Sequence, residues 1–328
     1  MSRQDVSLIV TVRDEEETIA ELLDSMLRQT RLPDEVVIND CQCTDCTMDI
    51  VDGYRDRLPL RTTAGGTNIP EGRNTAIRAA RGSLIACTDA GLWLDPHWLE
   101  RIVAPLEQGE VELAAGFFQV DPRSPFERVL GATTYYYGVE EVDPIKFLPS
   151  GRSMAFTRAA WEAVGGFPED LPYCEDLIFS QRLLQAGYRK RFIPDAVVHF
   201  RPRSSLGAFF RQYRNYAYGD GLAGLWPWRH ALRYGSYAAG LGLLGAGFYW
   251  PPLWGLLLLG SVAYLWHFYR RLWPALPKLS PAWRIGAFFL VPLLRIVGDT
   301  AKMVGYAQGR WDAHTRDSQQ AKGSRGKT

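Results

Sequence analysis

Four acidic residues have the types and positions that enzyme chemistry would use. Asp40 and Asp89 each follow an apolar run directly, and Glu175 and Asp176 stand side by side before another. Carboxylates at strand ends suit a divalent cation or a ribose hydroxyl, and an adjacent pair suits a general base because repulsion raises one pKa. Each acid also has an ordinary alternative, since Asp and Glu commonly cap turns and first helical turns. These residues alone leave both interpretations open.

The first two hundred residues alternate apolar β-branched runs with segments of helical periodicity. The pattern predicts βαβ units, an α/β fold and a mainly parallel sheet. The predicted strands and helices are strand Val6 to Val12, helix Glu15 to Gln29, strand Glu35 to Asn39, a helix from Thr47, a strand near Leu60, helix Gly72 to Ala80 and strand Leu84 to Thr88.

Ligands of parallel sheets bind beyond the carboxyl ends of the strands. The residues expected there are Thr11, Arg13, Asp14, Asp40, Arg73 and Asp89. The first strand is not followed by G-x-G-x-x-G, and the chain has no G-x-x-x-x-G-K-S/T. Dinucleotide-dependent dehydrogenases and P-loop enzymes therefore lose their main support.

Composition restricts the class of partner and the compartment. Lys and Arg number 37 against 36 Asp and Glu, for a net charge of +1 over 328 residues, so no overall field favours nucleic acid. Five cysteines are too few and too unevenly spread for a disulfide scaffold. Acids from Asp14 to Glu17 closely follow the first apolar run, which does not fit a signal peptide. We expect the catalytic part to be cytosolic.

The composition changes after residue 230. Tyr234 to Phe268 lacks Asp, Glu, Lys and Arg and surrounds a central Pro251-Pro252. Each side offers about 17 residues, or roughly 25 Å of helix, which predicts a transmembrane hairpin in the cell membrane. A buried helical pair in a soluble domain is the alternative. Basic residues after the hairpin favour a cytoplasmic catalytic domain.

A third apolar stretch, Ile285 to Tyr306, carries Arg295, Asp299 and Lys302 on one helical face and is expected along the membrane interface. The chain after Trp311 is polar and expected to be loosely ordered. The predicted organisation is a catalytic domain 1–204, an interfacial amphipathic segment 205–230, a transmembrane hairpin 231–270, an interfacial or third membrane helix 271–310 and a polar tail 311–328.

Five segments between about residues 5 and 215 occur in the same order as motifs of family 2 glycosyltransferases, and together they resemble that family. Glu35 to Thr47 resembles the family's nucleotide loop E-V-V-I-V-D-D-G-S-T-D-G-T, and Thr11 to Ile19 its first strand and helix. Gly72 to Ile77 resembles the G-R-N segment, Cys87 to Gly91 the D-x-D position, and Tyr173 to Leu177 the E-D motif before a helix.

The resemblance implies a GT-A fold that binds a nucleoside diphosphate sugar and transfers the sugar with inversion. It assigns the base and ribose to Thr11, Asp40 and Arg73, the ribose and metal to Asp89, and the general base to Asp176 beside Glu175. The matched segments also contain the remaining predicted nucleotide-sugar contacts, Arg13, Glu15 and Asp45.

Two departures from the family pattern concern metals. Asp89-Ala90-Gly91 lacks the second acid of D-x-D, so we expect His199 to complete the site of a Mg²⁺ or Mn²⁺ ion. A hydrogen-bonded structural histidine is the alternative. Cys41, Cys43 and Cys46 depart from the nucleotide loop, and with Cys87 or Cys174 they raise a rival zinc or iron–sulfur site.

Gln212-Tyr-Arg-Asn-Tyr216 loosely resembles the Q-x-x-R-W motif of membrane polysaccharide synthases, which implies that Gln212 and Arg214 bind the acceptor or diphosphate. An interfacial helix with snorkelling arginines is the alternative. We expect transfer to a lipid or lipid-linked saccharide at the membrane. The alternatives are a processive polysaccharide synthase and a catalytically silent nucleotide-sugar-binding scaffold.

Overall fold

A computed structural model describes residues 4–135 and 138–325 of the chain. It divides into two compact units. The first comprises Met1–Asp121 with Tyr136–Arg201, and the second comprises Pro122–Tyr135 with Pro202–Thr328. The segment 122–135 therefore belongs with the C-terminal helices, although it falls within the predicted catalytic domain.

The first unit contains an eight-stranded sheet in the order β3-β2-β1-β4-β7-β6-β8-β5. Its strands are β1 (Val6–Val12), β2 (Glu35–Asp40), β3 (Leu60–Ala64), β4 (Leu84–Cys87), β5 (Leu92–Leu94), β6 (Leu113–Val120), β7 (Met154–Thr157) and β8 (Lys190–Phe200). The α-helices of the whole chain are α1 (Ile19–Leu27), α2 (Thr47–Asp52), α3 (Ile69–Ala79), α4 (Trp98–Glu107), α5 (Pro125–Thr134), α6 (Arg158–Ala163), α7 (Glu175–Gln185), α8 (Leu206–Leu222), α9 (Pro227–Ala246), α10 (Pro252–Leu272) and α11 (Pro281–Arg325).

The sheet is mixed, which corrects the expectation of a mainly parallel one. β1 to β4 pair in parallel, as do β6 and β8. β7 runs antiparallel to both β4 and β6, and β5 runs antiparallel to β8. Strands and helices continue to alternate after β5, but α5, the helix between β6 and β7, belongs to the second unit. It is therefore not a crossover helix of the sheet, and β7 is free to run antiparallel to its neighbours.

Helix α3 begins at Ile69, three residues before the predicted start at Gly72. The side chain of Asn68 accepts a hydrogen bond from the backbone N–H of Glu71, and Pro70 occupies the first turn. A side-chain cap and an early proline are favourable at a helix start. The start of α3 places Arg73 one turn inside the helix.

The core beside β4 and β7 fixes the start of α7. Phe156, Phe167 and Phe179 are almost completely buried, and the ring of Phe179 lies 4.3 Å from that of Phe167 and 5.0 Å from that of Phe156. Closely packed aromatic rings restrict movement of the elements that carry them. The acid pair at the start of α7 is therefore held against a rigid support.

In the second unit, α8 and α11 approach closely through glycines. A Cβ atom on Gly305 would lie 2.0 Å from the carbonyl oxygen of Arg214, and one on Gly309 would lie 2.2 Å from that of Tyr218. Only glycine permits backbones to come this near.

The charged face of α11 points inward, and the expected position of this helix along a membrane interface stays a prediction. Arg295 and Asp299 are buried, whereas Ile285 and Phe289 are largely exposed. Asp299 accepts hydrogen bonds from groups on α9 and α10, which explains its burial. The helix also continues to Arg325, so the segment after Trp311 is helical in the described residues and not the loosely ordered tail that was expected.

The predicted hairpin around Pro251-Pro252 is present as α9 and α10. Its membrane-spanning character is not supported, because none of the helices within residues 4–135 and 138–325 is both long and apolar enough for a crossing. Gly, Tyr and Trp residues are interspersed among the leucines of both helices, and they lower the mean hydropathy of the hairpin.

Candidate active site

The carboxyl ends of β1, β2 and β4 meet at one edge of the sheet. Thr11 and Asp40 lie at the ends of β1 and β2, and Asp89 follows β4 by two residues. β1 is flanked by β2 on one side and β4 on the other, so strand order reverses at this position. Such a reversal opens a crevice that commonly receives ligands in α/β proteins.

The loop after β2 is shaped by its own polar groups. The Asp40 carboxylate accepts a hydrogen bond of 2.7 Å from the backbone N–H of Cys43. The preceding Asn39 is buried, and its amide donates to the carbonyl of Gly65 and accepts from the hydroxyl of Thr63. These bonds join the ends of β2 and β3.

Gln42 in this loop has a φ of 67°, in the left-handed region. The family pattern has glycine at this position, and glycine adopts the left-handed region easily. Gln42 has the same backbone conformation, so the turn is retained without the glycine. The sequence analysis noted only the three cysteines as departures from the family's nucleotide loop. It missed Gln42, the residue with the unfavourable backbone conformation.

Asp45 and Glu15 join the loop to the segment before α1. The Asp45 carboxylate accepts hydrogen bonds from the hydroxyl of Thr47 and from the N–H of Glu16. The Thr47 hydroxyl in turn accepts from the N–H of Glu15, whose carboxylate accepts from the hydroxyl of Thr18. Asp45 therefore has a structural role in joining these segments, and nucleotide contact remains a prediction for it and for Glu15. Arg13 is exposed.

Thr11 has a buried hydroxyl oxygen that finds no hydrogen-bond partner among the described residues. Its methyl carbon and the sulfur of Cys41 would each lie 2.5 Å from a Cβ atom built on Gly72, so α3 packs directly on this strand end. An unpaired buried hydroxyl costs free energy unless a ligand pairs it.

Arg73 is the central cation of the site. Its side chain is 4% exposed, and its two terminal nitrogens each lie 2.5 Å from a carboxylate, Nη2 from Asp89 and Nη1 from Glu175. Charge-assisted pairs of this geometry are short and directional. The guanidinium therefore links the acid after β4 to the acid that begins α7. Sequence reasoning assigned Arg73 to the base and ribose and did not predict this bridge.

Burial and charge shift the pKa values of these groups strongly. Burial and the neighbouring Asp176 raise the pKa of Glu175 to about 7, while Arg73 opposes the shift. Burial disfavours the Arg73 cation, but Asp89 and Glu175 outweigh it, so the pKa of Arg73 is raised. Burial also raises the pKa of the Cys87 thiol to about 12, so Cys87 is an inert neighbour.

Asp176 is held differently from Glu175. It is only partly buried, and its Oδ2 accepts a 2.8 Å hydrogen bond from the backbone N–H of Gly151. A Cβ atom on Gly151 would lie 2.1 Å from Nη2 of Arg73, so this loop covers the guanidinium while it binds the carboxylate. Gly151 was missed because its segment matches no motif quoted above.

His199 lies on β8 opposite Trp93 of β5, and the two rings stack at 3.6 Å. Burial lowers the pKa of His199, while Asp95 and Asp121 act in the opposite direction. The ring is therefore held by stacking. Its predicted role as a metal ligand beside Asp89 stays a prediction.

The described residues contain no group of three His, Cys, Asp or Glu side chains that could hold a metal ion. The rival zinc or iron–sulfur site is therefore not supported among these residues, and none of the five cysteines forms a disulfide. The Asp89 carboxylate, already paired through Oδ1 with Arg73, is compatible with a cation carried mainly by a diphosphate, which needs only one or two protein carboxylates.

Gln212 and Arg214 lie in the second unit. The Gln212 amide is buried, accepting a hydrogen bond from the hydroxyl of Tyr135 and donating to that of Tyr216. Arg214 is exposed and donates to Gln308 of α11. Both side chains thus have partners within this unit, and ligand contact remains a prediction for them.

The sequence is similar to those of known glycosyltransferases. Residues 7–162 match the model described as Glycosyl transferase family 2. The chain is 27% identical over 203 residues to the O-antigen chain rhamnosyltransferase WbaN of Salmonella anatum, covering 56% of this chain and 62% of the relative. It is 25% identical over 209 residues to the uncharacterized glycosyltransferase EpsJ of Bacillus subtilis, covering 60% of each chain. The chain therefore spans about three fifths of the length of these curated relatives.

Structural comparison confirms the fold. The mannosyltransferase PcManGT from Pyrobaculum calidifontis, solved in complex with GDP-Man and Mn²⁺, superimposes with a TM-score of 0.57 at 20% identity, covering 95% of this chain and 88% of that one. This likeness shows an α/β fold of the GT-A type with a mixed sheet. The family match over residues 7–162 contains the motifs at the sheet edge, so this segment is a glycosyltransferase family 2 domain.

Proposed function

We propose that the protein is an inverting glycosyltransferase that moves a sugar from a nucleoside diphosphate sugar to an acceptor hydroxyl at a membrane surface. The observation that carries the proposal is the chain of contacts from Asp89 through Arg73 to Glu175, with Asp176 beside it. It puts a partly exposed carboxylate next to a fixed cation at the edge where α/β sheets bind nucleotides.

Asp176 is the better general base of the acid pair. Glu175 is buried and paired with Arg73, whereas Asp176 is partly exposed and is oriented by Gly151. Asp176 would take the proton of the acceptor hydroxyl as the hydroxyl oxygen attacks the anomeric carbon. The bond from that carbon to the diphosphate oxygen breaks as the new bond forms, so the configuration inverts. Glu175 would act as a positioning residue that holds Arg73.

The donor would bind along the ends of β1, β2 and β4. Thr11 offers an unpaired hydroxyl there, and Asp40 and Asp89 offer carboxylates to ribose hydroxyls. A Mg²⁺ or Mn²⁺ ion bound to the diphosphate would stabilise its departure, with Asp89 as a protein ligand. The ion in PcManGT supports this assignment by analogy of fold.

The exposed side chains of the second unit support a membrane-surface acceptor, such as a lipid or lipid-linked saccharide. Trp228, Tyr249, Trp250, Trp266 and Phe289 are each more than half exposed. Exposed aromatic and aliphatic side chains in such number mark an interaction surface, and Trp and Tyr favour the membrane interface. We propose that the protein binds the cytoplasmic face of the cell membrane through this unit.

A donor screen with matched variants tests the activity. Wild-type protein is incubated with a panel of nucleoside diphosphate sugars, and released nucleoside diphosphate is measured. For a donor that is turned over, Asp176→Asn should lower kcat by about 10²- to 10⁴-fold, the usual contribution of a general base. Donor affinity should be unchanged, because Asp176 is assigned to the acceptor. Equal turnover by wild type and Asp176→Asn would remove Asp176 from the mechanism, and donor binding without turnover would favour a silent scaffold.

A further inference from the structure

The second unit contains an open pocket of about 110 Å³ between α8, α9 and α11. Basic and aromatic side chains predominate in its lining. The lining residues are Tyr213, Tyr216, Ala217, Asp220, Trp226, Arg229, His230, Arg233 and Lys302. None of Arg229, Arg233 and Lys302 belongs to the glycosyltransferase motifs. We propose that this pocket binds a phosphate or diphosphate group.

Two carboxylates near the pocket, Asp299 and Asp220, are fewer than its cations. Asp299 lies behind it and accepts a 3.0 Å hydrogen bond from Nε of Arg233. It also accepts from the hydroxyls of Tyr237 and Tyr264. Asp220 on the pocket wall lies 3.2 Å from Nε2 of His230. The lining therefore carries three cationic side chains, Arg229, Arg233 and Lys302, and one carboxylate, Asp220.

His230 is fixed as a neutral ring. Nη1 of Arg233 lies 3.1 Å from Nδ1 of His230, and a guanidinium can only donate, so Nδ1 must accept. Nε2 then carries the proton and donates to Asp220. The ring also stacks on Tyr306 at 3.8 Å. His230 thus holds Arg233 and Asp220 in place and adds no charge to the pocket.

Lys302 and Arg229 are held by aromatic rings of the pocket wall. The ammonium of Lys302 lies 4.8 Å from the ring centre of Tyr213, and the guanidinium of Arg229 lies 5.4 Å from that of Trp226. Neither forms a salt bridge with a carboxylate among residues 4–135 and 138–325. Burial and the positive charges of Arg295, Arg233 and Arg229 lower the pKa of Lys302 to about 8, while Asp299 opposes the shift. A buried ammonium among arginines is unfavourable until an anion enters.

A phosphate group fits this arrangement. Its several charged oxygens can bind two guanidinium groups and one ammonium at once, and the tyrosine hydroxyl of Tyr216 lies on the same wall. The group could belong to a soluble diphosphate or to a lipid head group. The site lies entirely within the second unit and does not depend on the sugar-transfer proposal.

The test uses the full-length protein and sodium pyrophosphate, measured by isothermal titration at constant ionic strength, with sodium acetate as the control anion. We expect saturable pyrophosphate binding that Lys302→Met and Arg229→Gln each weaken about tenfold or more, the effect of losing one charge-assisted contact. The controls Lys278→Met and Arg270→Gln change exposed residues outside the pocket and should bind as wild type does. The first unit is also proposed to bind a diphosphate. The quantity that tests this pocket is therefore the part of the pyrophosphate binding that is lost in Lys302→Met.

Two further measurements complete the test. Lys302→Met should unfold at a temperature no lower than wild type, because it removes a buried charge, and Arg229 is exposed enough for its variant to fold in any case. Sedimentation with phosphatidylcholine vesicles, with and without phosphatidic acid, distinguishes the sources. Lys302-dependent binding to phosphatidic acid assigns a lipid phosphate, and such binding to pyrophosphate alone assigns a soluble one. Binding to neither, binding equal to that of acetate, or binding unaffected by both variants would overturn the proposal.

Discussion

Arg73 and Glu175, 102 positions apart in the chain, form a buried ion pair whose Nη1 and Oε1 atoms lie 2.5 Å apart. The second guanidinium nitrogen, Nη2, binds Asp89 at the same distance. One cation thus serves two carboxylates from different elements, a strand end and a helix start. The pair connects the donor side of the proposed site to the acid pair that is proposed to activate the acceptor.

The first prediction concerns the removal of that cation. Arg73→Ala leaves Asp89 and the buried Glu175 without their partner, and breaking a buried pair in this way costs about 3–5 kcal/mol. The free energy of unfolding, measured with urea, should fall by that amount. Arg78→Ala, on the same helix, removes an exposed pair with Glu169 and should cost less than about 1 kcal/mol. Similar losses in the two variants would show that the Arg73 pair has no special energetic role.

The site shows what sequence could and could not predict. Asp40 and Asp89 were located because apolar runs mark strands, and parallel strands end at one edge. The partner of Arg73 could not be predicted, because the contact joins residues 102 positions apart through tertiary packing. Gly151 carries no local signal at all. Its importance lies in where the loop before β7 runs, and the antiparallel course of β7 was itself not predicted.

The second prediction concerns pH. The pKa of Glu175 is raised from 4.5 to about 7 in the folded protein, chiefly by burial. The protonated carboxyl is thus favoured on folding. Its contribution to stability is fully present below pH 4.5 and is lost as the pH rises through 7, by up to about 3 kcal/mol.

Glu175→Gln mimics the protonated form and should lack this loss. The difference in the free energy of unfolding between Glu175→Gln and wild type should therefore grow in favour of the variant from pH 4.5 to 7.5. Urea titrations at several pH values would measure it, with Glu162→Gln at an exposed position as the control. A difference that stays constant over this range would contradict the raised pKa.

The third prediction concerns the loop that covers Arg73. A Cβ atom on Gly151 would lie 2.1 Å from Nη2 of Arg73, so Gly151→Ala must move the guanidinium or the loop that binds Asp176. A displacement of about 1 Å in a catalytic group can reduce turnover about a hundredfold, and we expect a loss of this size in kcat. Gly260→Ala on α10 adds a methyl group to open space and should leave turnover unchanged. Unaltered kcat in Gly151→Ala would mean that the loop can shift without affecting the site.

The last prediction separates two roles for His199. Its ring stacks on Trp93 at 3.6 Å, and such a pair contributes about 0.5–1.5 kcal/mol beyond its buried area. Phenylalanine can restore the stack but cannot bind a metal ion, whereas alanine can do neither. We expect His199→Ala to lower the free energy of unfolding by about this amount and His199→Phe to recover most of it. Turnover should depend on Mn²⁺ concentration identically in wild type and both variants, because the stack already accounts for the position of the ring. A parallel increase in the Mn²⁺ requirement of both variants, with stability restored only in His199→Phe, would instead establish His199 as a metal ligand.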